Sequence, residues 1–180
     1  MDLFETINQR RSVRAFRDEP IGPDLLQQVL TAANRAPSAG NLQAYEIVLV
    51  TQRPTKEALA RAALHQDFLI EAPVVLAFVT NPPRSAINYG QRGEDLYCLQ
   101  DATIACAYAQ LAATALGLAT VWVGAFYDQT IRDILGLPPD SQTAALLAVG
   151  YPAEHPSATP RRALTDLVRR ETYGGPGFEP

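Results

Sequence analysis

Between Asp101 and Asp128 the chain carries no charged residue, and its hydrophobic pattern changes half-way along. The first part sets apolar residues in steps of three and four. Ala102, Ala105, Ala109, Ala112 and Leu116 form one row, and Ile104, Tyr108, Leu111, Ala115 and Leu118 form a second beside it. A helix that is apolar on two sides needs a partner on each, so this spacing predicts a long, buried central helix stopped by Gly117. Its Ala-rich row lets another backbone come close. Ala119–Val123 then switches to short, β-branched and aromatic residues, predicting a buried strand that ends at Gly124. Around this unit the periodicity predicts helices over Asp2 to about Gln9, Asp24–Arg35, Thr55–Leu64, Asp128–Leu135 and Ala163–Arg170. The first presents Leu3, Phe4 and Ile7 on one face; the second turns Leu25, Leu26, Val29, Leu30 and Ala33 inward. Apolar runs predict strands at Tyr45–Thr51, Ala72–Thr80 and Thr143–Gly150. Arg10–Phe16 alternates and reads as extended, and Ala36–Gln43 reads as a loop of turn formers. Asn81–Glu94 is polar, with two prolines and two glycines, and is predicted to be a loop. Pro152–Pro160 reads as a linker, and Glu171–Pro180 as a Gly/Pro tail that frays or lies on a partner. Helices and strands alternate irregularly and no repeat is seen. The expectation is a single α+β domain over 1–180, with a mixed central sheet flanked by helices.

Composition closes several alternatives. A net charge of −4 argues against a nucleic-acid partner. The uncharged run is rich in Ala and broken by Gln110, Thr114 and Gly117, which argues against a membrane span. The opening MDLFETINQRRS has no long apolar core, so no signal peptide is expected. Cys98 and Cys106 are eight residues apart on the predicted helix, about 12 Å of rise, too far for a bridge. Buried thiols in a reducing cytoplasm are expected.

Three groups of residues could carry chemistry. In an extended segment Arg10, Ser12 and Arg14 share a face and Arg11 points away. Guanidinium forks flanking a hydroxyl suit a phosphate; a solvated basic patch is the plainer alternative. Arg161 and Arg162 could close the same anion site from the far end of the chain, or be a surface pair. The loop Pro37-Ser38-Ala39-Gly40-Asn41-Leu42-Gln43 offers amides that both donate and accept, as a planar heterocycle requires, yet it also serves as an ordinary helix-to-strand connection. Val123-Gly124 offers bare backbone at a strand end, for a ring nitrogen or for nothing. No G-x-G-x-x-G, G-x-x-x-x-G-K-[ST] or G-x-S-x-G motif is present, and His65 and His155 lack metal-ligand spacing. An enzyme built this way would leave the difficult chemistry to a bound cofactor.

Taken in order, RRSVRAF, APSAGNLQ, ALGLATVWVGAF, LAVGYP and the late PRR resemble the nitroreductase family of FMN-dependent oxidoreductases, over nearly the whole chain and close in length to its short members. The resemblance implies a homodimer with FMN at the subunit interface, the Ala-rich row packing on its symmetry mate and the tail embracing the other subunit. It implies that Arg10, Ser12 and Arg161 or Arg162 hold the FMN phosphate, with Arg11 in the same motif. Arg14 would lie beside the flavin N1 and O2 edge. Pro37, Ser38 and Ala39 would reach the partner's flavin, with Asn41 and Gln43 supporting the ring edge or ribityl chain. Val123 and Gly124 would face N5 and O4, and Gln66 the pyrimidine edge. Many members carry Glu where this chain has Val123, and Asn81–Glu94 replaces the usual lid region. The implied activity is ping-pong hydride transfer from NADH or NADPH through the flavin to a nitroaromatic, a quinone or a free flavin, with no catalytic side chain and no metal. Flavin fragmentation, dehalogenation, ring oxidation and non-catalytic FMN binding stay open as alternatives.

Overall fold

The computed structural model describes residues 1–178. Its sheet has four strands, β1 (Tyr45–Val50), β2 (Val74–Thr80), β3 (Ala119–Val123) and β4 (Thr143–Gly150), in the order β1-β2-β4-β3. All three pairings are antiparallel. The parallel component is the bridge of Ser12 to Thr120, which lays the extended Arg10–Phe16 segment along the β3 edge.

β2 and β4 lie in the middle of the sheet, and β2 is buried along its whole length, as its unbroken apolar run requires. Its alternate residues feed two cores. Val75, Ala77 and Val79 pack with α3 (Arg53–Ala62), α4 (Phe68–Glu71) and α7 (Asp128–Leu135). Val74, Leu76 and Phe78 pack against α2 (Pro23–Asn34) and α6 (Cys98–Ala115). The sheet is therefore sandwiched between two layers of helices.

α6 is the predicted central helix. It starts three residues before Asp101, and Gly117, at φ +79°, follows its end. Ala102, Ala105 and Ala109 of the predicted row are fully buried, with Ala113 beside them, and they pack inside the chain against the sheet and α2, while Ala112 and Leu116 are half-buried. This corrects the expectation that the Ala row meets a symmetry mate. The more open row is the one with larger side chains: Ile104 and Leu111 are half-buried and Tyr108 and Ala115 exposed, while Leu118, beyond the helix end, is buried. α1 (Leu3–Gln9) packs beside it and exposes Leu3, Phe4 and Ile7.

A second correction concerns the predicted Asn81–Glu94 loop. It is α5 (Pro82–Arg92) followed by a π-helical turn, Gly93–Tyr97. Pro82 and Pro83 stand in the first helical turn, where a missing N–H costs nothing. The Asn81 side chain accepts from Arg84 N, and Gly90, at φ +52°, absorbs a kink.

The predicted late helix shortens to α8 (Leu164–Leu167). The tail folds back on it, with Arg170 N donating to Pro176 O and Phe178 N to Val168 O. Glu179 and Pro180 lie outside the described residues. Cys98 and Cys106 are free and buried. The Cys98 thiol donates to Glu94 O, and burial pushes the Cys106 thiol pKa up. No helix among the described residues is long and apolar enough to cross a membrane.

Candidate functional site

α1 ends at Arg10, whose N–H closes the last turn on Thr6 O. From there the chain runs along β3: Val13 N donates to Thr120 O at 3.0 Å, and Ala153 N donates to Ala15 O. This pins the arginine-rich segment between β3 and the residues after β4. A cavity of about 530 Å³ opens there, lined by Arg10, Ser12, Arg14, Ser157 and Arg161 among others. Arg11 lines it too, which corrects the expectation that Arg11 points away: the segment makes only an isolated bridge to β3 and does not keep strict strand alternation. Two ends of the chain separated by some 150 residues thus meet, as the anion-site reading requires.

The electrostatics of this cavity are unbalanced. Burial lowers the Arg10 pKa, and the neighbouring positive charges of Arg161 and Arg11 lower it further. Neither Arg10 nor Arg161 has an ion-pair partner among the described residues. Arg11 is half committed, donating to Asn8 O at 2.6 Å and Arg10 O at 2.9 Å. Arg14 is exposed, and its backbone N–H donates to the Glu154 carboxylate. Arg162 turns away and donates to Asp166 O at 2.6 Å, so Arg161 is the member of the late pair that reaches the cavity. Beside Ser12 the buried Thr120 hydroxyl has no hydrogen-bond partner among the described residues.

Gly124 lies four residues beyond Thr120 along β3, about 13 Å away in an extended chain. The Val123 side chain is buried in the core, so only its backbone is available at this end. Gly124 is exposed. Gln66 is bonded to the residue after it: its amide donates to Ala125 O at 3.2 Å and to Ala63 O at 2.8 Å.

The Pro37–Gln43 loop is elsewhere. Pro37, Ser38 and Ala39 line a separate, mostly apolar cavity of about 600 Å³ with Tyr97, Asp101 and Ile104. The loop is tightly specified. Gly40, Asn41 and Gln43 all have positive φ, at +56°, +56° and +51°. For non-glycine residues that region costs about 1–3 kcal/mol each and persists only when the surroundings impose it. Three elements supply the constraint. Asp101, 2% exposed, accepts from Ala39 N at 2.9 Å and Ala44 N at 3.2 Å. Gln43 N donates to the Ser38 hydroxyl, and the Gln43 amide donates to Asn34 O, so that side chain is committed within the chain. From α5, Arg84 donates to Leu42 O and Tyr89 covers Gly40. Asn41 is exposed. A Cβ on Gly40 would lie 2.7 Å from the Tyr89 hydroxyl. Gly40→Ala is therefore expected to lower stability by about 1–3 kcal/mol, read as a shift in the urea midpoint at constant m.

Asp101 and the α5 contacts were not among the sequence candidates. A signal for Asp101 existed: it is the last charge before a long uncharged run, and a lone acid beginning a buried helix needs donors.

The sequence profile described as Nitroreductase family matches residues 7–66 and 53–151. The chain belongs to the nitroreductase family. Relatives within the family agree along most of its length. An NADH dehydrogenase from Thermus thermophilus is 35% identical over 93% of this chain and 95% of its own. An FMN reductase [NAD(P)H] from Bacillus subtilis is 29% identical over 96% of this chain and 74% of its own. Among solved structures, the NADPH:FMN oxidoreductase of Vibrio harveyi complexed with NAD+ superposes with a TM-score of 0.87 at 29% identity, covering 95% of this chain and 77% of the other.

Proposed function

We propose that this protein is an FMN-dependent oxidoreductase that takes hydride from NADH or NADPH and delivers it to an electron-poor small molecule. A nitroaromatic, a quinone or a free flavin would serve, the two substrates alternating in one site by a ping-pong mechanism. The observation that carries this reading is the cluster of Arg10, Arg11 and Arg161 around Ser12, converging cations with no counter-ion among the described residues. A phosphate dianion supplies the missing charge, and guanidinium groups bond it through two N–H groups each. The 13 Å from Ser12's neighbour Thr120 to Gly124 suits a phosphate joined to a planar ring by a five-carbon linker.

Bound FMN supplies the hydride relay at its N5 position. The chain's part is to bind, orient and tune. Arg10, Ser12 and Arg161 hold the phosphate. Arg14 places a fixed positive charge toward the ring's N1 and O2 edge and favours negative charge there. The Val123 and Gly124 backbone borders N5 and O4, with Gln66 holding that corner in place through Ala125. Hydride transfer itself needs no side-chain acid or base.

The working unit is a homodimer. In one chain the Pro37–Ala39 loop and the phosphate cavity are separate, so the loop serves the site of the other copy. The open row of α6, with Leu3, Phe4 and Ile7 of α1, is the apolar surface for that contact.

Purified protein is expected to show a flavin absorption spectrum and to oxidise NADH or NADPH when a quinone is added. Protein that stays colourless at saturating FMN would remove the reading.

A further inference from the structure

We propose that Asp101 is a positioning residue, one that sets the shape of the Pro37–Gln43 loop and through it the fit of the cofactor bound by the other copy. This rests on the function proposed above. One carboxylate at the start of the central helix closes a ring over six residues of chain, from Ala39 N to Ala44 N, at 2.9 and 3.2 Å. Between these anchors stand the three residues with positive φ, Gly40, Asn41 and Gln43. The carboxylate is buried and takes both backbone donors, with no cation paired to it among the described residues. Ala39 is both an anchored residue and part of the cavity wall, and Asp101 lines the same cavity. On the far side of the ring, Ala44 O accepts from Asn81 N at the start of α5. Loop, α5 and central helix are therefore joined at Asp101. An oxygen pair is required because both partners are N–H groups; an Asn side chain would turn its own N–H₂ toward one of them.

The test compares wild type with Asp101→Asn, which keeps volume. Amide hydrogen exchange and FMN titration are both measured, after folding and mass in solution have been checked. The expected result is faster exchange at Ala39 and Ala44 by roughly tenfold or more, with β2 and β4 protection unchanged. FMN affinity should fall roughly tenfold, and the KM for a quinone should rise while kcat at saturation holds. Should Asp101→Asn not fold, Asp101→Ser, with one acceptor in less volume, takes its place. Unchanged exchange overturns the clamp. Faster exchange with unchanged FMN affinity and KM overturns the positioning role alone. Wild type that takes no FMN overturns the proposed function and this role with it, a result distinct from the other two.

Discussion

Arg10→Ala is expected to weaken FMN binding by roughly 10- to 100-fold while leaving the cofactor-free protein as stable as before, or more so. The two halves of this result have one cause. Arg10 is partly buried next to Arg161 and Arg11; burial pushes its pKa down most, and both of those charges push it further. With no anion present, removing Arg10 relieves repulsion. With a phosphate bound, the same substitution removes a charge-assisted hydrogen bond, for which about 1.5–3 kcal/mol is usual. An ordinary structural arginine behaves the other way, losing stability in the free protein. Thermal melts with and without FMN, together with titration of FMN into the apoprotein, separate the two. A loss of apoprotein stability with unchanged FMN affinity would assign Arg10 to the fold instead.

Gly124→Leu should abolish flavin occupancy, a loss of more than about 100-fold, and leave the fold intact. Its backbone is not in the left-handed region, and the nearest atom to an added Cβ is Trp122 Nε1 at 3.7 Å. Nothing among the described residues resists a side chain there. A planar ring bound against the bare backbone, as proposed, would resist it, since a leucine side chain occupies the space the ring needs. Wild-type circular dichroism with no bound flavin is the expected outcome. Full occupancy in Gly124→Leu would move the ring away from the β3 end.

Much of this architecture is legible in the sequence because its strands are apolar runs of strand length. Ala72–Thr80 reads directly as an interior strand, found at Val74–Thr80, and the Gly117 stop divides α6 from β3. The α5 region is illegible for a physical reason. Pro82, Pro83, Gly90 and Gly93 are usually breakers. Here the prolines stand in the first turn, Gly90 takes the kink, and Gly93 lies so close to the Ser85 backbone that a Cβ would come within 2.6 Å of its carbonyl oxygen. Periodicity also cannot say which of two apolar rows faces inward. The smaller row of α6 went to the sheet because small side chains let helix and strands close up, leaving Tyr108 outside. At the site, alternation placed Arg10, Ser12 and Arg14 on a common face. The late pair Arg161 and Arg162 is a candidate from sequence too, but only the fold chooses between them, putting Arg161 on the cavity and sending Arg162 to Asp166. Asp101 is a tertiary fact of the same kind, since its partners are 57 and 62 residues away.

The stretch 82–97 stands apart from the cavity lined by Arg10, Ser12 and Arg161. It folds mainly upon itself, Tyr89 against Tyr97 edge-to-face and Arg92 bonded to the Tyr97 hydroxyl, and it touches the Pro37–Gln43 loop through Arg84 and Tyr89. The sheet admits little change, being covered by helices on both faces, whereas the contacts of 82–97 lie mostly within the stretch itself. A change of composition in 82–97 is therefore expected to reach the rest of the molecule chiefly through the contacts of Arg84 and Tyr89 with the Pro37–Gln43 loop.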